Sequence, residues 1–482
     1  MAPSRRTFNN SLFSLIPAAW LPKALAKNRP PTLLPEVSGP LVGGDHGWPF
    51  ASPIEDLSLH GYVMEEYTLA GVAQAYRVAP GGSTPRNGQW DTEPGNTADY
   101  VTRAYVVRPK SVANFNGIAV VNWQNVTAGF DIGSPINSEI FRGYAWIGVT
   151  TQKIGVDGTE GLTKGLRQWD PTRYGKLNHP GDAWSYDIFT QAGRLVSHGD
   201  TALLGGLKPE LVIATGGSQS AMRLGSYLNA AHPHTKVFDG FYLTVHWGIC
   251  PPIEERPLMD LFAPTSGELS PAMCQIRDDG DVPILVVATE CEARYNYPVR
   301  QADTNTFRFW EIAGASHQSP YRASKLAEIM KRDGVYLGDS PADRNAVGWG
   351  YIDDAALRGM VLWLREGALP ASMPRISMSG DEDALIKRDD LGNALGGIRT
   401  PELEAPIASY RGERSEDLSN PNWLDGMTIP LEESELTRRY PNANARIERW
   451  HKAVDHLIEK GLVLPEDVEA LRRRGNDNHP YV

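Results

Sequence analysis

The sequence predicts an α/β architecture, a mostly parallel central sheet flanked by helices. Three observations carry this. Ile118–Val121, Ala145–Val149, Leu211–Ala214, Gly240–Val245 and Ile284–Ala288 are short, nearly continuous apolar runs. A strand covered on both faces has no polar side to show, and parallel sheets are covered that way. Helical segments separate several of these runs, at Ser185–His198, Ala221–Ala231 and Lys325–Arg332, and such alternation is what right-handed crossovers require. Earlier in the chain, Val63–Val78 and Tyr100–Val107 alternate apolar with polar residues, the pattern of half-buried antiparallel strands.

Residues 1–26 resemble a twin-arginine export signal. Ser4-Arg5-Arg6-Thr7-Phe8 precedes a mostly apolar stretch, Ser11–Leu21, and small residues follow at Ala24-Leu25-Ala26. That order predicts export of an already folded chain to the periplasm or beyond, with a mature start near Lys27; without export the protein would be cytoplasmic. Residues 27–115 are expected to form an N-terminal arm, Pro- and Gly-rich from Asn28 to Pro49, and the antiparallel strands of the sheet. The core is expected over 116–370, interrupted at about 248–282 by a cap-like insertion rich in Pro, Glu and Asp, and its closing helix is Tyr351–Glu366. Residues 371–482 read as a C-terminal extension packed on the core, with two helical stretches within Arg446–Leu471.

Composition narrows the function. Of 482 residues, 58 are acidic and 47 basic, a formal net charge of −11, and apart from Arg472-Arg473-Arg474, which reads as a solvated helix end, no basic stripe offers the clustered cations that neutralise nucleic-acid phosphates. No apolar run is long enough to span a bilayer. Cysteine is scarce: Cys250 and Cys274 could close a loop and leave Cys291 free, or all three could be unpaired thiols. There is no CxxC pair and no HExxH, and His232-Pro233-His234 reads as surface histidines, so no metal and no cofactor are expected. The expected partner is a small molecule.

The chemistry concentrates at Gly216-Gly217-Ser218-Gln219-Ser220, between an apolar run and a helix. A nucleophilic serine needs exposure at a strand tip and a base beside it. A tight strand-to-helix turn supplies the exposure, and its crowding demands small residues two before and two after, here Gly216 and Ser220. The helix dipole then points at Ser218, and the Gln219 amide is placed to bind an oxyanion. The competing explanations are an anion site at the helix N-terminus or a plain glycine turn. Further on, Pro283–Thr289 is a strand ending at Glu290, and Phe307–Ile312 is another running through Ala313-Gly314-Ala315-Ser316 into His317. His317 is read as the base and Glu290 as the acid that orients it, with Asp303 and Glu292 as alternative acids. A second oxyanion donor is expected from the backbone of Asn125 or Val126, in the loop after the Val120-Val121 strand.

Together these segments resemble the alpha/beta-hydrolase domain family of bacterial secreted or periplasmic hydrolases. The resemblance is carried by Trp123-Gln124-Asn125-Val126-Thr127, Ser185-Tyr186-Asp187-Ile188-Phe189 and Gly217-Ser218-Gln219-Ser220. It continues through Phe307–Gly314 with His317, and through Gly392–Pro401. It implies an alpha/beta-hydrolase fold with Ser218 as nucleophile, His317 as base and an acid matching Glu290, but names no substrate. The expected function is hydrolysis of a carboxylic ester or lactone through an acyl-enzyme. The alternatives are acyl transfer by the same triad and a non-catalytic binding protein on the same fold. Pro251, Pro252, Leu258, Leu261 and Phe262 of the insertion could line a pocket, and Trp123 and Trp247 could flank the site or belong to the core.

Overall fold

The computed structural model describes residues 34–133, 137–253, 273–336, 338–380, 385–414 and 422–476. The export-like segment and residues 254–272 of the expected insertion lie outside them. Residues 34–482 form one compact unit.

The sheet starts with long antiparallel strands. β1 (Glu36–Ser38) pairs with β2 (Tyr62–Val78), which pairs along its length with β3 (Thr92–Pro109) and carries a bulge between Gln74 and Tyr76. The apolar runs then form β4 (Ile118–Trp123), β5 (Ala145–Val149), β6 (Leu211–Gly217), β7 (Gly240–Thr244), β8 (Ile284–Thr289) and β9 (Phe307–Ile312). The spatial order is β1-β2-β3-β5-β4-β6-β7-β8-β9. β3 meets β5 antiparallel, and every pair from β5 to β9 is parallel.

Alternate side chains of β4 enter two separate cores, as expected for strands covered on both faces. Ala119, Val121 and Trp123 join one core with Tyr186, Ile188 and Phe189 of helix α1 (Ser185–Ser197) and Leu224 and Tyr227 of α2 (Gln219–Ala230). Ile118 and Val120 join the other, which α3 (Glu290–Asn296) enters through Ala293 and α5 (Gly350–Glu366) through Ile352, Leu357 and Met360. α4 (Pro320–Asp333) lies between α3 and α5 in the chain. Residues of the C-terminal tail, including Ile376, Ile398, Tyr410 and Trp450, share this second core.

Two stretches differ from what the sequence suggests. The arm contains β1, and β3 begins at Thr92 rather than near Tyr100. Its first half, TEPGNTAD, is poor in strand formers; β2 imposes the conformation by pairing with it across Thr97↔Gln74 and Ala98↔Ala73.

Candidate active site

β6 ends at Gly217 and α2 begins at Gln219, leaving Ser218 alone at the junction with φ 59° and ψ −122°. A non-glycine residue in that region is strained and persists only where its surroundings hold it. The Ser218 N–H donates to the Thr244 carbonyl of β7 (3.0 Å). Ser220 Oγ accepts the Gly217 N–H (3.0 Å) and donates to the Gly217 carbonyl (2.8 Å), closing the turn from inside. A Cβ on Gly216 would lie 3.1 Å from Ser220 Oγ, and one on Gly217 would lie 2.8 Å from Thr244 Oγ1. The small residues at 216, 217 and 220 therefore answer a real crowding.

His317 sits in the loop after β9 and is buried. Its Nδ1 lies 2.6 Å from Glu292 Oε1. The other oxygen of Glu292 accepts the Thr289 N–H (2.7 Å) and the Thr289 hydroxyl (2.8 Å), a capping box that fixes the carboxylate at the start of α3. Glu290 does not meet His317. It is the first residue of α3 and turns to the Gly314 N–H (2.7 Å), the Gly412 N–H (3.1 Å) and the Arg388 guanidinium (2.9 Å). The correction has a helical cause: positions two apart on a helix point to different sides, so only one of the two glutamates can face the imidazole. Asp303 lies before β9, where it binds the Phe309 N–H (3.2 Å), Arg375 (2.8 Å) and Ser372 (2.5 Å).

Trp247 links the two halves of the site. Its indole N–H donates to Ser218 Oγ (3.4 Å), while its ring packs at 5.3 Å between centroids on the His317 imidazole. Tyr295 and Trp423 pack on the same indole. The turn feeding Trp247 contains Val245 at φ 47°, an outlier for a β-branched residue, held by its N–H bond to the Val287 carbonyl (2.7 Å). Trp123 instead donates to Gln152 Oε1 (3.0 Å) inside the core.

The loop after β4 is latched to the Ser218 turn. Asn125 Nδ2 donates to the Gly217 carbonyl (2.9 Å), and Asn125 Oδ1 accepts the Thr127 N–H (2.8 Å). The Val126 N–H points to Gln219 Oε1 (3.4 Å), whose Nε2 donates to Gln152 Oε1 (2.7 Å). Gln152 continues to Asp182 (3.0 Å), which pairs with Arg223 of α2 (3.3 Å). A buried polar chain thus ties the residue after Ser218 to both the loop and the helix.

Cys250, Cys274 and Cys291 are buried free thiols. The ligating atoms of Cys291, Glu292 and His317 fall within 4.8 Å of one another. Burial pushes the Cys291 thiol well up, and the neighbouring Glu292 carboxylate adds to this, so metal capture there would first have to remove a tightly held proton. Among the described residues no helix is long and apolar enough to cross a membrane.

No curated protein matches the chain. Among solved structures, esterase Est22 is similar at 12% identity over 57% of this chain and 78% of its own, with a TM-score of 0.30. Acetyl xylan esterase 1 from Thermoanaerobacterium sp. JW/SL YS485 is similar at 11% identity over 63% and 89%, with a TM-score of 0.31. Scores of that size say nothing of substrate. The model of the alpha/beta hydrolase domain family matches residues 37–473, nearly all of the sheet, site and tail described above, and the chain belongs to that family.

Proposed function

We propose that the protein is a serine hydrolase that cleaves a carboxylic ester or lactone through an acyl-enzyme, with Ser218 as nucleophile, His317 as base and Glu292 as the orienting acid. The observation that carries this is the strained Ser218 backbone at the strand–helix junction, joined through Trp247 to an imidazole already paired with a buried carboxylate.

In the first step Ser218 Oγ bonds to the substrate carbonyl carbon as its proton passes to the free ring nitrogen of His317. The carbonyl oxygen becomes an oxyanion, received by the backbone amide of Gln219 and that of Asn125 or of Val126, the latter turning from Gln219 Oε1 to do so. Collapse expels the alcohol, which takes the proton back from the imidazolium. Water then repeats the sequence on the ester carbon of Ser218, releasing the carboxylic acid. Glu292 holds Nδ1 protonated and offsets the charge on the ring, so the opposite nitrogen is the one that accepts.

Ser218→Ala is expected to lower turnover of p-nitrophenyl acetate by several orders of magnitude. A fluorophosphonate should label the unaltered protein once, at Ser218. Undiminished turnover by the variant would sink the mechanism, and inertness toward both reagents would favour a binding protein on the same fold.

A further inference from the structure

A cavity lies beside the His317 loop, with about 490 Å³ of internal space. Neither Ser218 nor His317 lines it. That volume is in the range of small-molecule sites, and the walls have a distinct chemistry. Tyr321 and Tyr351 supply aromatic surface, and Asp353, Asp354 and Asp467 supply carboxylates.

The charges do not cancel. Asp353 is answered by Arg322 (3.5 Å), by Asn137 Nδ2 (3.0 Å) and by the Tyr242 hydroxyl. Arg474, the other lining cation, is taken by Glu402 (3.1 Å). Asp354 holds only neutral donors, Ser138 Oγ (2.5 Å) and the Glu139 N–H (3.0 Å), and no cation pairs with it among the described residues. Asp467 Oδ2 is buried with no hydrogen-bond partner, and so is the Tyr351 hydroxyl. Arg142 and Arg358 lie near enough to act on Asp467 through space, yet both are bound to Glu139 and Glu466. Burial, reinforced by Asp353 and Asp467, pushes Asp354 up to about 7.

We propose that this cavity is a second binding site, built for an organic ammonium ion with an apolar body. The ammonium would sit between Asp354 and Asp467, where its charge relieves their mutual repulsion. Its body would lie on Tyr321 and Tyr351, whose ring faces favour a cation close by. A simple inorganic cation would leave that aromatic wall unused, and an anion would face two uncompensated carboxylates. Ser319 and Pro320 form part of the wall, and the Trp349 indole donates to the Ser316 carbonyl (3.3 Å). The occupant therefore touches the loop that carries His317, although the site does not depend on the role of Ser218.

The test is calorimetric titration of the whole protein with benzyltrimethylammonium, alongside its uncharged isostere neopentylbenzene and calcium chloride. One saturable site for the ammonium is expected, with the isostere at least about tenfold weaker. Asp354→Asn with Asp467→Asn should weaken the ammonium by about tenfold or more, while a cooperative thermal melt shows the variant to be folded. Should that double variant fail to fold, Asp467→Asn alone carries the same test. No saturable binding, equal affinity for the isostere, calcium binding in place of the ammonium, or unchanged affinity in a folded variant would each overturn the proposal.

Discussion

At the scale of single residues, the site turns on which of two glutamates faces the imidazole. Glu292 is fully buried, 2.6 Å from His317 Nδ1, and held by both donors of Thr289. Glu290 is equally buried but spends its oxygens on Gly314, Gly412 and Arg388. The two positions should therefore fail differently. Glu292→Gln keeps the shape but removes the charge that selects the tautomer, and should lower kcat on p-nitrophenyl acetate by about a thousandfold or more. Glu290→Gln leaves the imidazole's partner in place and unpairs Arg388, so it should lower the melting temperature while kcat stays within about tenfold. Kinetics and melts on the two variants decide it, and the reverse ranking would return the acid's role to Glu290. The sequence carried a usable signal here. Thr289-Glu290-Cys291-Glu292 is a capping box, Thr-x-x-Glu, and a box glutamate folds back over the helix start. Strand-end position alone favoured Glu290 because it ignores how a helix rotates its side chains.

At the scale of elements, the loop after β4 and the start of α2 behave as one piece. The Gln219 side chain bridges the Val126 amide and Gln152, and Gln152 is anchored by Trp123 and Asp182. Gln219→Leu retains the backbone amide proposed for the oxyanion but releases the loop opposite it. Small displacements of a preorganised donor are costly, so kcat should fall by about tenfold to a hundredfold with KM little changed. Gln152→Leu should reproduce part of that loss. Steady-state rates unaltered in both variants would show that the loop holds itself. How far elements were legible follows from how much of their pattern is local. β4 to β9 are nearly all apolar because both faces are covered, and that pattern survives without knowledge of neighbours. β1 and the first half of β3 are strands only because β2 pairs with them, across Val37↔Leu69 and Asp99↔Val72 among others. Trp247 was legible as an aromatic near a strand end, but its double contact with Ser218 and His317 depends on the Val245 turn, which no local pattern announces.

At the scale of the whole molecule, the C-terminal tail completes the sheet and braces the site. Ile398 continues the edge of β9: its N–H donates to the Glu311 carbonyl (2.7 Å), and its carbonyl accepts the Ala313 N–H (2.9 Å). The buried Glu311 carboxylate accepts the Ile376 N–H (2.7 Å) besides pairing with Arg300. Asn345 ties the Gly314 carbonyl (2.7 Å) to the Arg411 carbonyl (2.8 Å), so the strand leading to His317 is clasped from the tail side as well. Burial of side chains such as Ile376, Ile398, Leu403 and Tyr410 is worth about 1.5–3 kcal/mol each. A whole domain is stable by only about 5–15 kcal/mol, so losing these four together removes an amount comparable to the entire margin. A chain ending at residue 370 should therefore be recovered as aggregate, because β9 becomes a bare apolar edge. Any soluble fraction should have lost whatever p-nitrophenyl acetate turnover the full chain has, since Gly314 and Glu290 lose the partners that fix the His317 loop. Expression of the truncated chain, with a melt and a p-nitrophenyl acetate assay on the soluble fraction, measures both. A cooperatively folding truncated protein with full turnover would show that the tail merely covers the core and plays no part in holding the histidine.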